Sequence, residues 1–181
     1  MRKRNLLYFL LLILVWTSTS ACTLGQNKRI ALAMQLSYDQ ADHRGAAHLT
    51  RKALKKNRDK PDVGLLMDLC AYLHYAGEYE KSNLACQAAE ARADTLYTKS
   101  IREQAAAFLT NDNAISFQGE DYERLFLHVI GMLNYAALNK PESALVEARK
   151  LDNKAKYFKQ NPEKVATRYQ EEPLGRFIAG L

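Results

Sequence analysis

The stretch PDVGLLMDLCAYLHYAGEYEKSNLACQAAEARAD, residues 61–94, decides the fold. Its first half places Leu66, Leu69, Cys70 and Leu73 at helical offsets, and Pro61 suits a helix start. Gly77 then marks a tight turn, after which Tyr79, Ser82, Cys86 and Ala89 repeat the helical period. Ser82, Ala85, Cys86 and Ala89 are small enough to let two helices approach closely. The reading is an antiparallel helical hairpin turning near residue 78, from which Cys70 and Cys86 are equally distant and therefore face each other. They form either a disulfide or a pair of small buried packing residues.

Outward from this hairpin the same period continues, and almost nothing alternates with a period of two. Alanine is frequent, and only 8 Gly and 4 Pro interrupt the chain, so an all-helical protein is expected. One helix is expected from Ile30 to about Gln40, with Ile30, Ala33, Met34 and Tyr38 on its apolar side. A second runs from about Ala46 to Asn57, with Ala47, Leu49, Ala53 and Leu54 inward. Tyr97, Ile101, Ala105 and Phe108 mark another amphipathic helix over Thr95–Leu109.

The 61–94 hairpin resembles a tetratricopeptide unit through its Gly77-Glu78-Tyr79 turn, the small Ser82 and the later Ala89. LNYAALNKPESALVEARKLD, residues 133–152, is similar, with Tyr135 before a turn at Asn139 to Pro141 and Ala144, Ala148 and Leu151 after it. GAAHLTRKAL, residues 45–54, matches more loosely, Ala47 corresponding to Ser82 at a separation of 35. From Ser82 to Ala144 is 62 residues, too long for one repeat, so something is inserted between those hairpins. TNDN at 110–113, GEDYERLFLH at 119–128 and ALVEARKLDNK at 144–154 resemble a family of bacterial tetratricopeptide-like lipoproteins of largely undefined function. The resemblance spans roughly residues 60–181. It implies an envelope protein built as a short α-solenoid, and it brings no assigned catalytic residues.

The insertion holds the densest polar cluster. Asn111 suits a left-handed helix C-cap, and Gly119 opens a helix whose first turn contains Glu120, Asp121 and Glu123, where the helix dipole favours acids. That helix is expected to bury Tyr122, Leu125, Phe126, Val129 and Leu133. A calcium loop starting at Asn111 fails, because its sixth position is Ser116 and its twelfth Tyr122. Asn111, Asp112, Asn113, Gly119, Glu120, Asp121, Tyr122, Glu123 and Arg124 are thus a structural connection or a partner contact. The rival reading is an envelope enzyme processing glycan or peptide through Glu120, Asp121 or Glu123. His43, His48, His74 and His128 show no metal spacing, and no metal or cofactor is expected.

The N-terminus has Arg2, Lys3 and Arg4 before an apolar run from Leu6 to Trp16, the pattern of an export signal over residues 1–21. Small residues then lead into Cys22, which resembles a lipobox and implies a lipid on that cysteine. Cleavage after Ala21 without lipid is the alternative. Residues 22–29 form a tether and 30–181 the repeat domain. Loss of the three basic residues leaves 23 Lys and Arg against 20 Asp and Glu, so the net charge falls from +6 to +3. RKALKKNRDK, residues 51–60, is the only dense basic run and reads as a solvated helix face, so no nucleic-acid partner is expected. Pro173 starts a last apolar helix with no partner after it, which reads as a truncated product. The function expected is a lipid-anchored adaptor or scaffold that binds envelope proteins or peptides. Thr23 after the cysteine favours the outer membrane, with the repeats facing the periplasm, and a structural assembly subunit is a further alternative.

Overall fold

The structure, a computed structural model, describes residues 28, 30–106 and 117–160. Among them it is all-helical. We number the helices α1 (30–39), α2 (His43–Leu54), α3 (Val63–Tyr75), α4 (Tyr79–Ala106), α5 (Asp121–Ala137) and α6 (Pro141–Gln160). A short 3-10 turn, Lys55–Asn57, ends the second helix. The lipidation candidate Cys22, the polar residues Asn111, Asp112 and Asn113, and the expected last helix after Pro173 lie outside the described residues.

Three hairpins follow one another, and their turns are built alike. Ala41, Gly77 and Asn139 each take the left-handed conformation, at φ 59°, 73° and 55°. At each turn two backbone bonds close the helix: Gly77 N–H donates to His74 C=O and Glu78 N–H to Leu73 C=O. The same pair recurs as Ala41 to Tyr38 with Asp42 to Ser37, and as Asn139 to Ala136 with Lys140 to Tyr135. This is the Schellman arrangement, which satisfies helix-end carbonyls at the cost of one left-handed residue. The next helix then starts at once, with Ala46, Ser82 and Ala144 N–H donating to Asp42, Glu78 and Lys140 C=O. The structural partner of Ser82 is therefore Ala46, 36 residues earlier, and not Ala47.

Other boundaries also differ from the sequence expectation. Asp62, not Pro61, caps α3, its carboxylate accepting Leu65 N–H at 3.0 Å. The helix expected to begin at Thr95 is the continuation of α4, which has no Gly or Pro to break it near Asp94. Thr95 and Thr98 instead turn their hydroxyls onto Ala91 and Asp94 C=O, as threonines inside a helix do.

Packing runs along the chain: α2 against α3, α3 against α4, both α3 and α4 against α5, and α5 against α6. α1 reaches α2 through Met34 and Thr50, and α3 through Tyr38. One core joins Ala47, Leu66, Leu69, Leu73, Ala89, Leu127 and Ile130, and a second joins Leu125, Val129, Met132, Leu151 and Phe158. Burying each large aliphatic here contributes about 2 kcal/mol. α5 feeds both cores and is buried on most of its circumference. Arg124, Leu127, His128, Ile130, Met132 and Asn134 are therefore inside, while Tyr122, Phe126 and Leu133, expected to be core, are exposed.

Candidate functional site

The start of α5 brings Gly119 to Arg124 into one structure with divided roles. Gly119 sits at φ 82°, and a Cβ there would collide with the Met67 side chain of α3. The left-handed backbone favours glycine, and any larger residue would also have to push the flexible end of Met67 aside. Glu120 is the N-cap, and Glu123 Oε2 accepts the Glu120 backbone N–H at 2.8 Å in a capping box. The Glu123 carboxylate therefore serves its own backbone. Asp121 adds favourable charge to the first turn, and Tyr122 is exposed.

Arg124 points the other way, into the protein. It is 4% exposed, pairs with Asp94 of α4, and lies 5.4 Å from the Tyr97 ring centre and 5.3 Å from that of Phe158. One guanidinium thus links α4, α5 and α6 by an ion pair and two cation–π contacts. Beside it, Tyr97 and Tyr157 share a hydroxyl contact of 3.0 Å, and burial with that contact pushes Tyr97 up to about 12. An open cleft of about 330 Å³ follows, lined by Asp94, Tyr97, Arg124, Asn153, Lys154 and Tyr157.

Deeper in the same seam, His128 is 1% exposed between two carboxylates. Its Nδ1 lies 2.8 Å from Glu147 Oε2, and its Nε2 lies 3.2 Å from Glu90 Oε1, an ion-pair contact without hydrogen-bond alignment. Burial alone would disfavour the imidazolium, but Glu147 and Glu90 outweigh it and raise the His128 pKa. His128, aided by Lys154, holds the Glu90 carboxyl down to about 2. Glu147 is lowered as well: its own burial opposes this, but His128 and Lys150 prevail. Lys150 and Lys154 complete the set at 2.9 Å from Glu147 and 3.0 Å from Glu90. Each cation of the seam has a carboxylate, so the cluster reads as a clasp between helices and leaves His128 with no accessible nitrogen for acid–base chemistry.

A second buried network joins α3, α4 and α5. Asn134 Nδ2 donates to Ser82 Oγ and Asn83 Oδ1, both at 2.9 Å, and its Oδ1 lies 2.7 Å from His74 Nδ1. Ser82 in turn donates to Cys70 C=O at 2.7 Å. In the sequence Ser82 reads as a small residue of the helix contact and His74 as a histidine without metal spacing, and a buried amide such as Asn134 has no periodic signature. Nearby, the structure joins Cys70 and Cys86 in a disulfide, with Cα atoms 5.0 Å apart across the hairpin. No group of three His, Cys, Asp or Glu side chains among the described residues is arranged to hold a metal.

The outer face of α1, α3 and α5 is different in kind. Tyr38 packs against Tyr72 at 5.6 Å and Tyr75 at 6.2 Å, and His43 against Tyr75 at 5.3 Å. Tyr38, Tyr75, Tyr122 and Phe126 nevertheless remain between 42% and 54% exposed. Asp68 is also exposed here, yet its pKa is raised, first by desolvation and then by Asp62 and Glu123. Among the described residues no helix is long and apolar enough to cross a membrane. No protein-family model, curated protein or solved structure matches the chain.

Proposed function

We propose that the chain is a lipid-anchored envelope adaptor whose hairpins form a short tetratricopeptide-like solenoid that binds protein segments. The observation that carries this is the succession of three like-built hairpins that leaves one row of helices, α1, α3 and α5, with accessible aromatic side chains. Stacked hairpins of this kind use such a face for recognition, and tyrosine is favoured at interfaces. The basic start, apolar run and Cys22 support export and lipid attachment, and Thr23 supports the outer membrane. Glu123, held in its capping box, weighs against an enzymatic role for the acidic cluster.

The test is site-specific photo-crosslinking in cells, with the reactive residue placed at Tyr75 on α3 or, as a control, at Leu84 on α4. Both positions are exposed, at 54% and 67%. An adduct to a second protein from Tyr75 alone is expected. Equal adducts from both positions would refute the adaptor reading, and adducts only to the same chain would replace it with self-assembly. Mass measurement of the mature N-terminal peptide checks the anchor, since an unmodified Cys22 would exclude it.

A further inference from the structure

The helices divide by charge. The odd-numbered helices carry Asp39, Asp68, Asp121 and Glu123 against two cations, Arg124 and His128, both buried and paired. The even-numbered helices carry twelve Lys and Arg against seven Asp and Glu. Among the described residues, seven of the twelve exposed large hydrophobic side chains also belong to the odd helices, although these contain fewer residues.

These features meet on one continuous face, because Tyr38 bridges α1 to α3 and α3 packs on α5. Asp68 sits in the middle. Among the described residues it makes no hydrogen bond or ion pair, although it is accessible and enough protein surrounds its carboxyl to strip water from it. The Tyr72 hydroxyl is raised too, by burial first and then by Asp68, Tyr38 and Asp39. The charged groups that raise Asp68 and Tyr72 are all acidic, and they lie next to ring faces that attract cations.

Resting on the adaptor reading, we infer that this face takes a basic polypeptide segment, whose Lys or Arg side chains meet Asp68 and Asp39 and stack on Tyr38, Tyr72 and Tyr75. Charge complementarity chooses the sign of the partner, and the tyrosines supply contact area.

The test is amide chemical-shift titration of the full-length protein with a decapeptide of alternating Lys and Ser, and with its Glu and Ser counterpart. The Lys peptide is expected to shift amides around Asp68 and Tyr75 and to bind several-fold more weakly when salt rises from about 20 to 200 mM. Asp68→Asn and Tyr75→Ala should each weaken it about fivefold. Both side chains are exposed, and urea unfolding of each variant checks that the fold is kept, Tyr75→Ala also removing ring contacts with Tyr38 and His43. Equal or tighter binding of the Glu peptide at these residues would overturn the charge assignment and leave the adaptor reading standing. Shifts confined to the even helices, no shifts at all, or unchanged affinity in both variants would overturn the inference as well. The adaptor reading is judged separately, by the crosslink from Tyr75.

Discussion

Replacing His128 with Gln removes the centre of the clasp between α4, α5 and α6. Breaking a buried ion pair by deleting one partner costs about 3–5 kcal/mol when the other charge is stranded. Here neither carboxylate is stranded, because Glu147 keeps Lys150 and Glu90 keeps Lys154. Gln also refills most of the volume and can still donate to one carboxylate. A loss of about 2 kcal/mol is therefore expected at pH 6. The pH dependence separates charge from packing. The folded pKa of His128 is raised above its ordinary 6.5, so its stabilisation is fully present below about 6.5 and disappears as pH rises through the folded value. The Glu90 carboxyl is depressed from 4.5 to about 2, so its contribution is present above about 4.5 and is lost as pH falls towards 2. The clasp is thus strongest between about pH 4.5 and 6.5. Wild-type stability, measured by urea unfolding, should decline from pH 6 to 8 with a limiting slope of about 1.4 kcal/mol per pH unit for one proton. His128→Gln should remove that decline, the other histidines being common to both proteins. Parallel pH profiles for the two proteins would refute the assignment of His128 as a charged clasp.

Three further outcomes follow from the geometry. Gly77→Ala should destabilise by about 1 kcal/mol, since a Cβ meets nothing within 4 Å and only the left-handed backbone objects; Ala41→Gly, at φ 59°, should stabilise by a similar amount in the same unfolding assay. The unreduced protein should weigh two hydrogens less than the reduced one, and reducing the Cys70–Cys86 link, which closes a 16-residue separation, should lower stability by about 3 kcal/mol; two free thiols without reductant would contradict it. Asn134→Leu should cost about 3 kcal/mol, because His74, Ser82 and Asn83 all lose a partner, and native-state hydrogen exchange should rise at the α3–α4–α5 junction first; protection unchanged there would refute the network's role.

The sequence made the central hairpin legible because Leu66, Leu69, Cys70 and Leu73 carry a clean 3.6 period and all four are buried. It misjudged α5 for the same reason. A period finds one apolar stripe, whereas α5 lies between two cores and has no single inward face, so Tyr122, Phe126 and Leu133 were assigned to the interior in place of Leu127, Ile130 and Met132. The capping roles of Gly119, Glu120 and Glu123 were readable, being set by residues close in sequence. The clasp and the Asn134 network were not, since Glu90, His128 and Glu147 are brought together only by tertiary packing.

What repeats in this chain is the way helices stop, more than the residues that stop them. Ala41, Gly77 and Asn139 adopt one conformation and support identical backbone bonds; Gly77 and Asn139 announce themselves in the sequence, whereas Ala41 does not. Side-chain likeness pairs Ala47 with Ser82, one residue off the structural match. The turns make Ala46, Ser82 and Ala144 equivalent and separate odd from even helices. Only with that separation does the charge pattern emerge, because the even helices mix acids with their excess of bases while the odd helices hold four acids against one arginine. A net charge of +6 thus hides a row of helices with an acidic excess, and it is the sign of the face, not of the protein, that selects a partner.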